Sequence, residues 1–419
     1  MRACRTAVGV VASFVALAFL LAAAAGAATP PPPACAASQS WVSSPNPPQE
    51  IPGGGTDFCQ FYQFAWQWFL DLTQPSSAGS DERIFETFNV VGQRGTTNCG
   101  ATATALRGKE ALKKSLFIRT VKPSSANFTP VLPQNVTQAS GGVLYDQGGN
   151  VVFYAMLYNQ TECQGTAQGF PPGVTEIKSS WRILSAPDPT YYTITASIQP
   201  PSGPAQTYTL GLVGFHMVIN TKNHPEFVWA TFEHFANAPT CTNPQTPPTP
   251  GWSFTSAAAA TCLSTSGYNK CAQFNFNTPS KATSLTGPPT QVCRTFADGT
   301  DPASMTGGNN NDTNRFNIDT LNAQIVGPTG FVTALPANNP MAVWKNYSLQ
   351  GGLWTNGGVG SGGTDVQRGS LEIVNTTMET FNQTPTSNGN CFYCHTYDPS
   401  NPTGVSHIFV LPSGKKAAK

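Results

Sequence analysis

Thr207 to Ile219 reads TYTLGLVGFHMVI, a stretch rich in the β-branched and aromatic residues that favour β-strands. Three earlier stretches have the same character: Val151 to Tyr158, Val174 to Leu184 and Tyr191 to Ile198. Turns with Gly, Pro and Asp separate them. The middle of the chain is therefore predicted to form a mostly antiparallel sheet, and the fold class to be α+β and β-rich.

A few helices are expected around this sheet. From Phe58 to Leu72 aromatic and apolar residues recur at helical spacing, and Thr56 or Asp57 is placed to cap the helix. Further helices are predicted at Asp81 to Val90 and at Ala103 to Phe117. An aromatic helix of this kind either forms ordinary core or walls a cofactor pocket.

The second half of the chain is less regular. Between about residues 240 and 338 the pattern breaks into clusters of Pro, Gly, Asn and Ser, which predicts long loops tied down by disulfides. From Asp365 onward, Leu371, Val374, Met378 and Phe381 mark one helical face. We expect a C-terminal helix that ends shortly before Cys391.

The N-terminus is typical of an exported bacterial protein. Residues 1–27 combine two arginines, an apolar stretch and a small-residue end, as in a signal peptide; an uncleaved membrane anchor is the alternative. Residues 28–55 are rich in Pro, Gly and Ser and predict a linker. A β-rich body at 56–364 and a C-terminal attachment segment at 365–419 follow. The mature protein is expected in the periplasm or outside the cell, and not in the membrane.

The amino-acid composition narrows the classes of partner that the protein is expected to bind. Charged residues make up 10% of the chain and the net charge is +1, whereas ordinary domains contain about 25% charged residues. No dense Lys/Arg stripe is present, so nucleic acid is not expected as a partner.

The cysteines suggest an oxidised protein. The chain has 11, of which Cys4 lies in the signal peptide and two belong to the motif described below. The eight others are Cys35, Cys59, Cys99, Cys163, Cys241, Cys262, Cys271 and Cys293. An even number in an exported chain predicts a disulfide framework whose pairing the sequence leaves open. Several free buried thiols are the alternative.

Residues 391 to 395 read CFYCH, the C-x-x-C-H signature of covalent haem attachment. Cys391 and Cys394 are placed to form thioethers to the haem vinyl groups, and His395 to be the proximal iron ligand. A redox C-x-x-C pair would not need His395, and a structural zinc site would need a second cysteine pair. Neither context is visible.

With this motif the chain resembles a c-type cytochrome, which implies one covalent haem c. It departs from the small soluble cytochromes because its motif lies near the C-terminus and no Met follows. Gly214 to His216, His224 to His234 and Asn375 to Thr380 also resemble segments of a family of large, uncharacterised, single-haem bacterial exported proteins. That resemblance implies no activity.

The region from His216 to His234 is a second candidate site because it holds three of the five histidines and two glutamates. If it folds as a hairpin, residue 216 lies opposite about residue 230, and His216 and His234 are then on the order of 13 Å apart along the ladder. This separation is too large for one metal ion. His234 is then either a buried hydrogen-bonded side chain or, with Glu233, part of the distal side of the haem.

The distal iron ligand is predicted to be His407. It lies twelve residues after His395, within reach of the iron, and it alternates in phase with Val405 and Phe409 in a strand-like run. Met378 and His234 are the alternatives, and an open distal position is a further one.

Three functions are compatible with these residues. Electron transfer to and from an unidentified redox partner protein needs only a six-coordinate haem, and it is the preferred interpretation. A haem enzyme or small-gas-binding protein, with peroxidase-like or nitrogen-oxide chemistry, would have an open distal site served by Glu233 or His234. A structural or interaction module with an accessory haem is the third.

Overall fold

One antiparallel sheet organises the chain in the computed structural model. The structure describes residues 35–51, 57–90, 109, 112–113, 142–198, 204–280, 282, 284–296, 311–363, 366–383 and 390–409. Within these residues the sheet has eight strands. They are β1 (Asn89–Val90), β2 (Phe153–Tyr158), β3 (Thr175–Ile183), β4 (Thr193–Ile198), β5 (Gln206–Thr221), β6 (His224–His234), β7 (Tyr347–Thr355) and β8 (Gln367–Gly369).

The strand order brings distant parts of the sequence together. The path runs β1, β2, β3, β5, β6, β7 and β8, and β4 pairs with the first half of β5. Strands β5 and β6 form the predicted hairpin, but His216 lies opposite Thr231 because the ladder is irregular between Ile219 and Thr221. The predicted β-rich α+β fold with a mostly antiparallel sheet is confirmed.

The α-helices of the described residues are α1 (Ser40–Ser43), α2 (Phe58–Thr73), α3 (Ala257–Ser266), α4 (Asn311–Val326) and α5 (Cys391–Cys394). Helix α2 confirms the expected aromatic helix. Its N-terminus is capped by Asp57, whose Oδ1 accepts the backbone N–H of Cys59 at 2.9 Å.

Helices α2 and α4 cover one face of the sheet. Phe69 of α2 stacks on Phe232 of β6 with ring centroids 4.0 Å apart, and Trp66 meets the same ring edge-on at 4.9 Å. Ile318 and Leu321 of α4 are buried in the same core. Each such side chain contributes about 1.5 to 3 kcal/mol by leaving water, so this layer is a major source of stability.

The C-terminal segment covers the opposite face. Trp229 of β6 lies 6.1 Å from Phe392 of α5, centroid to centroid. Val218 and Leu353 belong to the same buried cluster, separate from the α2 core. The C-x-x-C-H motif is therefore laid directly on the sheet.

Two helix predictions are wrong. Residues 81–90 form a short 3-10 turn (Ile84–Thr87) and strand β1, because Glu86 accepts the N–H of Arg83 at 2.7 Å and closes the turn. The helix expected before Cys391 is instead β8, turns and a 3-10 turn (Thr380–Asn382). The helix expected at Ala103 to Phe117 lies outside the described residues, apart from 109, 112 and 113.

The disulfide prediction is confirmed among the described cysteines. Cys35 pairs with Cys59, Cys241 with Cys293, and Cys262 with Cys271. Cys163 is also disulfide-bonded, whereas Cys99 lies outside the described residues. Two of these bonds fall in the predicted loop region, which also contains the unexpected helices α3 and α4.

The predicted boundaries of the signal peptide and the linker fall only partly within the described residues. Residues 1–27 lie outside the described part of the chain, and so does much of the expected linker. The described residues 35–51 include α1 and bury Cys35 and Ile51 in the core, so this part packs against the body. The body and the C-terminal segment belong to one compact unit that starts at Cys35. Among the described helices, none has the length and apolar character needed to cross a bilayer.

Candidate haem-attachment cleft

A cleft opens beside the C-x-x-C-H motif. Its floor is formed by β3, β5 and β6, and its walls by residues 373–382, 390–395 and 407–408. The space beside the motif amounts to about 1070 Å³ when the open solvent at its mouth is counted. Cys391, Cys394, His395 and His407 all line it.

The motif cysteines differ from the other cysteines of the described chain, because both are free thiols. Burial raises the pKa of the Cys391 thiol far above its ordinary value and also raises the pKa of Cys394. A reactive dithiol needs the opposite shift, toward the thiolate. The environment therefore does not favour disulfide-exchange chemistry at this pair.

His395 is held in one tautomer. Its Nδ1 lies 2.9 Å from the carbonyl oxygen of Val405, so Nδ1 carries the proton and Nε2 is left as the ligand atom. Burial, assisted by the nearby His407, lowers the pKa of His395 well below its usual value, so the ring is neutral. Trp229 packs against it, with ring centroids 4.7 Å apart.

His407 lies beside His395 as the sequence suggested, but for another local reason. The two rings are stacked, with centroids 3.9 Å apart and planes 20° apart. The strand-like run expected here is wrong: residues 402–405 form a 3-10 turn, and His407 is exposed between buried Ser406 and Ile408. Ser406 Oγ accepts the N–H groups of Ile408 and Phe409, which breaks the alternation.

A charged triad lies on the cleft floor. Glu379 Oε1 accepts from Lys178 Nζ at 2.7 Å, and its Oε2 is 2.8 Å from Nε2 of His216. Although burial opposes it, the charges of His216 and Lys178 lower the pKa of Glu379 well below its usual value. Lys178 and His216 are cross-strand neighbours on β3 and β5, and Glu379 arrives from the C-terminal segment.

Residues 375–379, here called the strap, are held on the sheet by buried side chains. Thr376 donates its backbone N–H to Glu233 Oε1 at 2.8 Å, and its hydroxyl also bonds this carboxylate. Arg294 Nη2 donates to Glu233 Oε2 at 2.7 Å, and Asn375 donates to Thr231 Oγ1 at 2.9 Å. Together with the contact between His216 and Glu379, they join all three segments that carried the fainter family resemblance.

Two candidate residues do not reach the cleft. His234 is fully buried against Tyr191, with ring centroids 3.8 Å apart, and its Nε2 bonds the carbonyl of Thr190 at 3.1 Å. Burial lowers its pKa to about 3, so it is a neutral, hydrogen-bonded core histidine. Met378 is buried in a neighbouring apolar cluster and is absent from the cleft lining. Glu233, a third candidate, is also absent from the cleft lining and instead holds the strap on β6.

The side chains at the cleft suit a covalent haem better than a bare metal ion. Among the described residues, no group of three or more His, Cys, Asp or Glu side chains is arranged to hold a metal ion. A covalent haem brings its own equatorial nitrogens and needs only thiols and an axial ligand from the chain. Two free thiols and a neutral imidazole with an available Nε2 have the chemistry that this group requires.

Sequence reasoning missed the residues that surround the motif. Lys178, Glu379 and Trp229 were not singled out, because the folded sheet brings them together from distant positions: 201 positions separate Lys178 from Glu379, and 163 separate His216 from Glu379. A usable signal existed for Glu379, because it falls in a segment flagged by resemblance. No protein-family model matches the chain, and no curated protein or solved structure shows significant similarity to it.

Proposed function

We propose that this protein is an exported c-type cytochrome that carries one haem c on Cys391 and Cys394 and transfers electrons. The observation that carries the proposal is the pair of free thiols beside a neutral histidine at a cleft, in a chain whose other described cysteines are disulfide-bonded. When bound, the haem supplies a one-electron couple. Its partner is a redox protein, and its location is the periplasm or the cell exterior.

In this proposal the chain's own residues hold and orient the group. His395 is the proximal ligand through Nε2, and the Val405 carbonyl fixes its tautomer and makes it a better donor. Trp229 limits rotation of the imidazole ring. Apolar cleft residues such as Ile373 and Ile408 exclude water, and this exclusion tunes the redox potential.

His407 is the proposed distal ligand. It is supported by its position at the cleft next to His395. If both imidazoles were to bind the haem, the two stacked rings would have to move apart. A His/His pair lacks the thioether that raises the potential in Met/His cytochromes, so a lower potential is expected.

The test begins with expression in a bacterial periplasm that contains the haem-attachment machinery. The wild type should keep its haem through denaturing electrophoresis, because thioethers survive denaturation. The double variant Cys391→Ala, Cys394→Ala should lose the haem stain, whereas Cys262→Ala, Cys271→Ala is a control that should keep it. Persistence of the stain in the motif variant would contradict the proposal.

A second candidate function is a haem enzyme or gas-binding protein with an open distal site. The Lys178, Glu379 and His216 triad favours it, because these groups line the same cleft and are able to exchange protons with a bound ligand. Spectra separate the two candidates. A low-spin ferric spectrum unchanged by cyanide or carbon monoxide supports electron transfer, and a high-spin spectrum that changes supports the enzyme. If His407 is the ligand, His407→Ala converts the first spectrum to the second.

A further inference from the structure

Two glutamates at or beside the cleft form no salt bridge with any of the described residues. Glu162 is fully buried in the 3-10 turn Gln160–Gln164, and Glu176 of β3 lines the cleft. One carboxylate oxygen of each, Oε2 of Glu162 and Oε1 of Glu176, is buried and has no hydrogen-bond partner. Leaving a carboxylate oxygen buried and unpaired is costly when the group is charged.

Lys178, which lines the same cleft, does not neutralise this pair. Lys178 is the charged neighbour on the same strand, but its ammonium group is bonded to Glu379. The remaining polar contact is Ser406, whose hydroxyl lies 3.4 Å from Glu162 Oε1. Ser406 is neutral, so it offers a hydrogen bond and no compensating charge.

Protonation of one carboxyl removes the cost of burying two unpaired negative charges. Burial, and next the charge of Glu176, raises the pKa of Glu162 well above its usual value. Burial raises the pKa of Glu176 to about 7. Two adjacent carboxyls that share a buried site cannot both ionise at low cost, so they titrate as a pair.

We propose that Glu162 and Glu176 form a proton-binding site that takes up one proton when the cleft gains an electron. This inference rests on the proposed haem function. One electron from a protein electron donor would reduce the bound haem, and one proton from the bulk solvent would add to the Glu176 carboxylate. The net charge of the cleft is unchanged, so reduction favours protonation and protonation favours reduction.

The other groups that face the cleft are accounted for. Lys178, His216 and Glu379 form a closed triad in which Glu379 receives both partners, and Cys391, His395 and His407 belong to the proposed attachment site. Among the described residues, Glu176 in the cleft and the buried Glu162 beside it are the carboxyls of this region that form no salt bridge. Ser406 connects Glu162 to the backbone next to His407, so the two sites are one residue apart.

The first experiment measures the proton directly by infrared spectroscopy on the purified full-length protein, with or without haem. A protonated carboxyl band should be present near neutral pH, disappear as pH rises, and be lost or diminished in Glu162→Gln and Glu176→Gln. Glu50→Gln is the matched control, because both oxygens of Glu50 are hydrogen-bonded, by Thr221 and Asn223. A band that is unchanged in both variants overturns the proposal.

The second experiment measures the midpoint potential of the haem-loaded protein against pH. Coupling of one proton to one electron predicts a slope approaching about 59 mV per tenfold change in proton concentration near neutral pH. Glu176→Gln should flatten this slope, whereas Glu50→Gln should keep it. A flat wild-type profile overturns the coupling.

These outcomes are separable from failure of the proposed function. If the haem stain is absent from the wild type, the haem proposal fails while the infrared band still decides whether the proton site exists. A divalent cation is the competing occupant. Metal analysis that finds one bound cation per chain, lost in Glu162→Gln, overturns the proton-binding proposal.

Discussion

Replacing Gly214 with alanine should loosen the strap that carries Glu379. Gly214 lies on β5, where an added Cβ would lie 2.5 Å from Ser180 Oγ, 2.6 Å from Thr377 Oγ1 and 2.8 Å from Asn375 Oδ1. All three distances are shorter than real Cβ contacts. The three side chains are themselves bonded to one another, Ser180 to Thr377 at 2.6 Å and Thr377 to Asn375 at 2.7 Å.

The size of the effect follows from these contacts. The methyl group must displace both hydroxyl groups, which leaves two buried hydrogen bonds broken or strained. Each buried polar group left unsatisfied costs about 1 to 3 kcal/mol, so Gly214→Ala should lower the free energy of unfolding by about 2 to 6 kcal/mol.

Urea denaturation followed by tryptophan fluorescence measures this loss as a lower midpoint at unchanged slope. The matched control is Gly362→Ala, since a Cβ there meets nothing within 4 Å, and it should stay within about 0.5 kcal/mol of the wild type. Equal midpoints for the two variants would show that the residues 375–377 do not pack on β5.

Three further predictions concern pH and packing. Burial raises the pKa of Glu176 from 4.5 to about 7, so the folded state binds this proton more tightly than the unfolded state does. The free energy of unfolding should therefore fall by about 3 kcal/mol as pH rises from 4.5 to 7. In denaturation curves measured over this pH range, Glu176→Gln should show a smaller fall than the wild type. Phe69→Ala should cost about 3 to 5 kcal/mol in denaturant unfolding, whereas exposed Phe316→Ala should change little. Removing the Cys241–Cys293 bond, with a separation of 52 residues, should cost about 1.5 kcal/mol more in thermal unfolding than removing Cys262–Cys271, with a separation of 9, because a longer loop is released.

The sheet and helix α2 were predictable because their periodicity is local. The strands from Phe153 to Ile219 carry dense β-branched and aromatic residues, and the α2 sequence repeats aromatic residues at helical spacing. Helix α4 was missed because most of its residues are polar, although Ile318, Leu321 and Ile325 follow a helical pattern and are fully buried.

The false helix before Cys391 shows the limit of periodicity. Leu371, Val374 and Met378 have helical spacing, but the side chains of Asn375 and Thr376 bond to β6 and compete with helical hydrogen bonds. The C-x-x-C-H motif could be recognised from the sequence because all of its residues are neighbours in the chain. The triad was not, because Lys178 and Glu379 are 201 residues apart and only the sheet topology brings them together.

The strap also sets an order of assembly. Its contacts with β6 span 143 residues, and contacts of such separation form late, after the intervening chain has been ordered. The C-terminal segment docks onto strands that must already be paired. Until then Cys391 and Cys394 remain on an undocked tail, and on the proposed function this is the stage at which both thiols would be accessible for haem attachment.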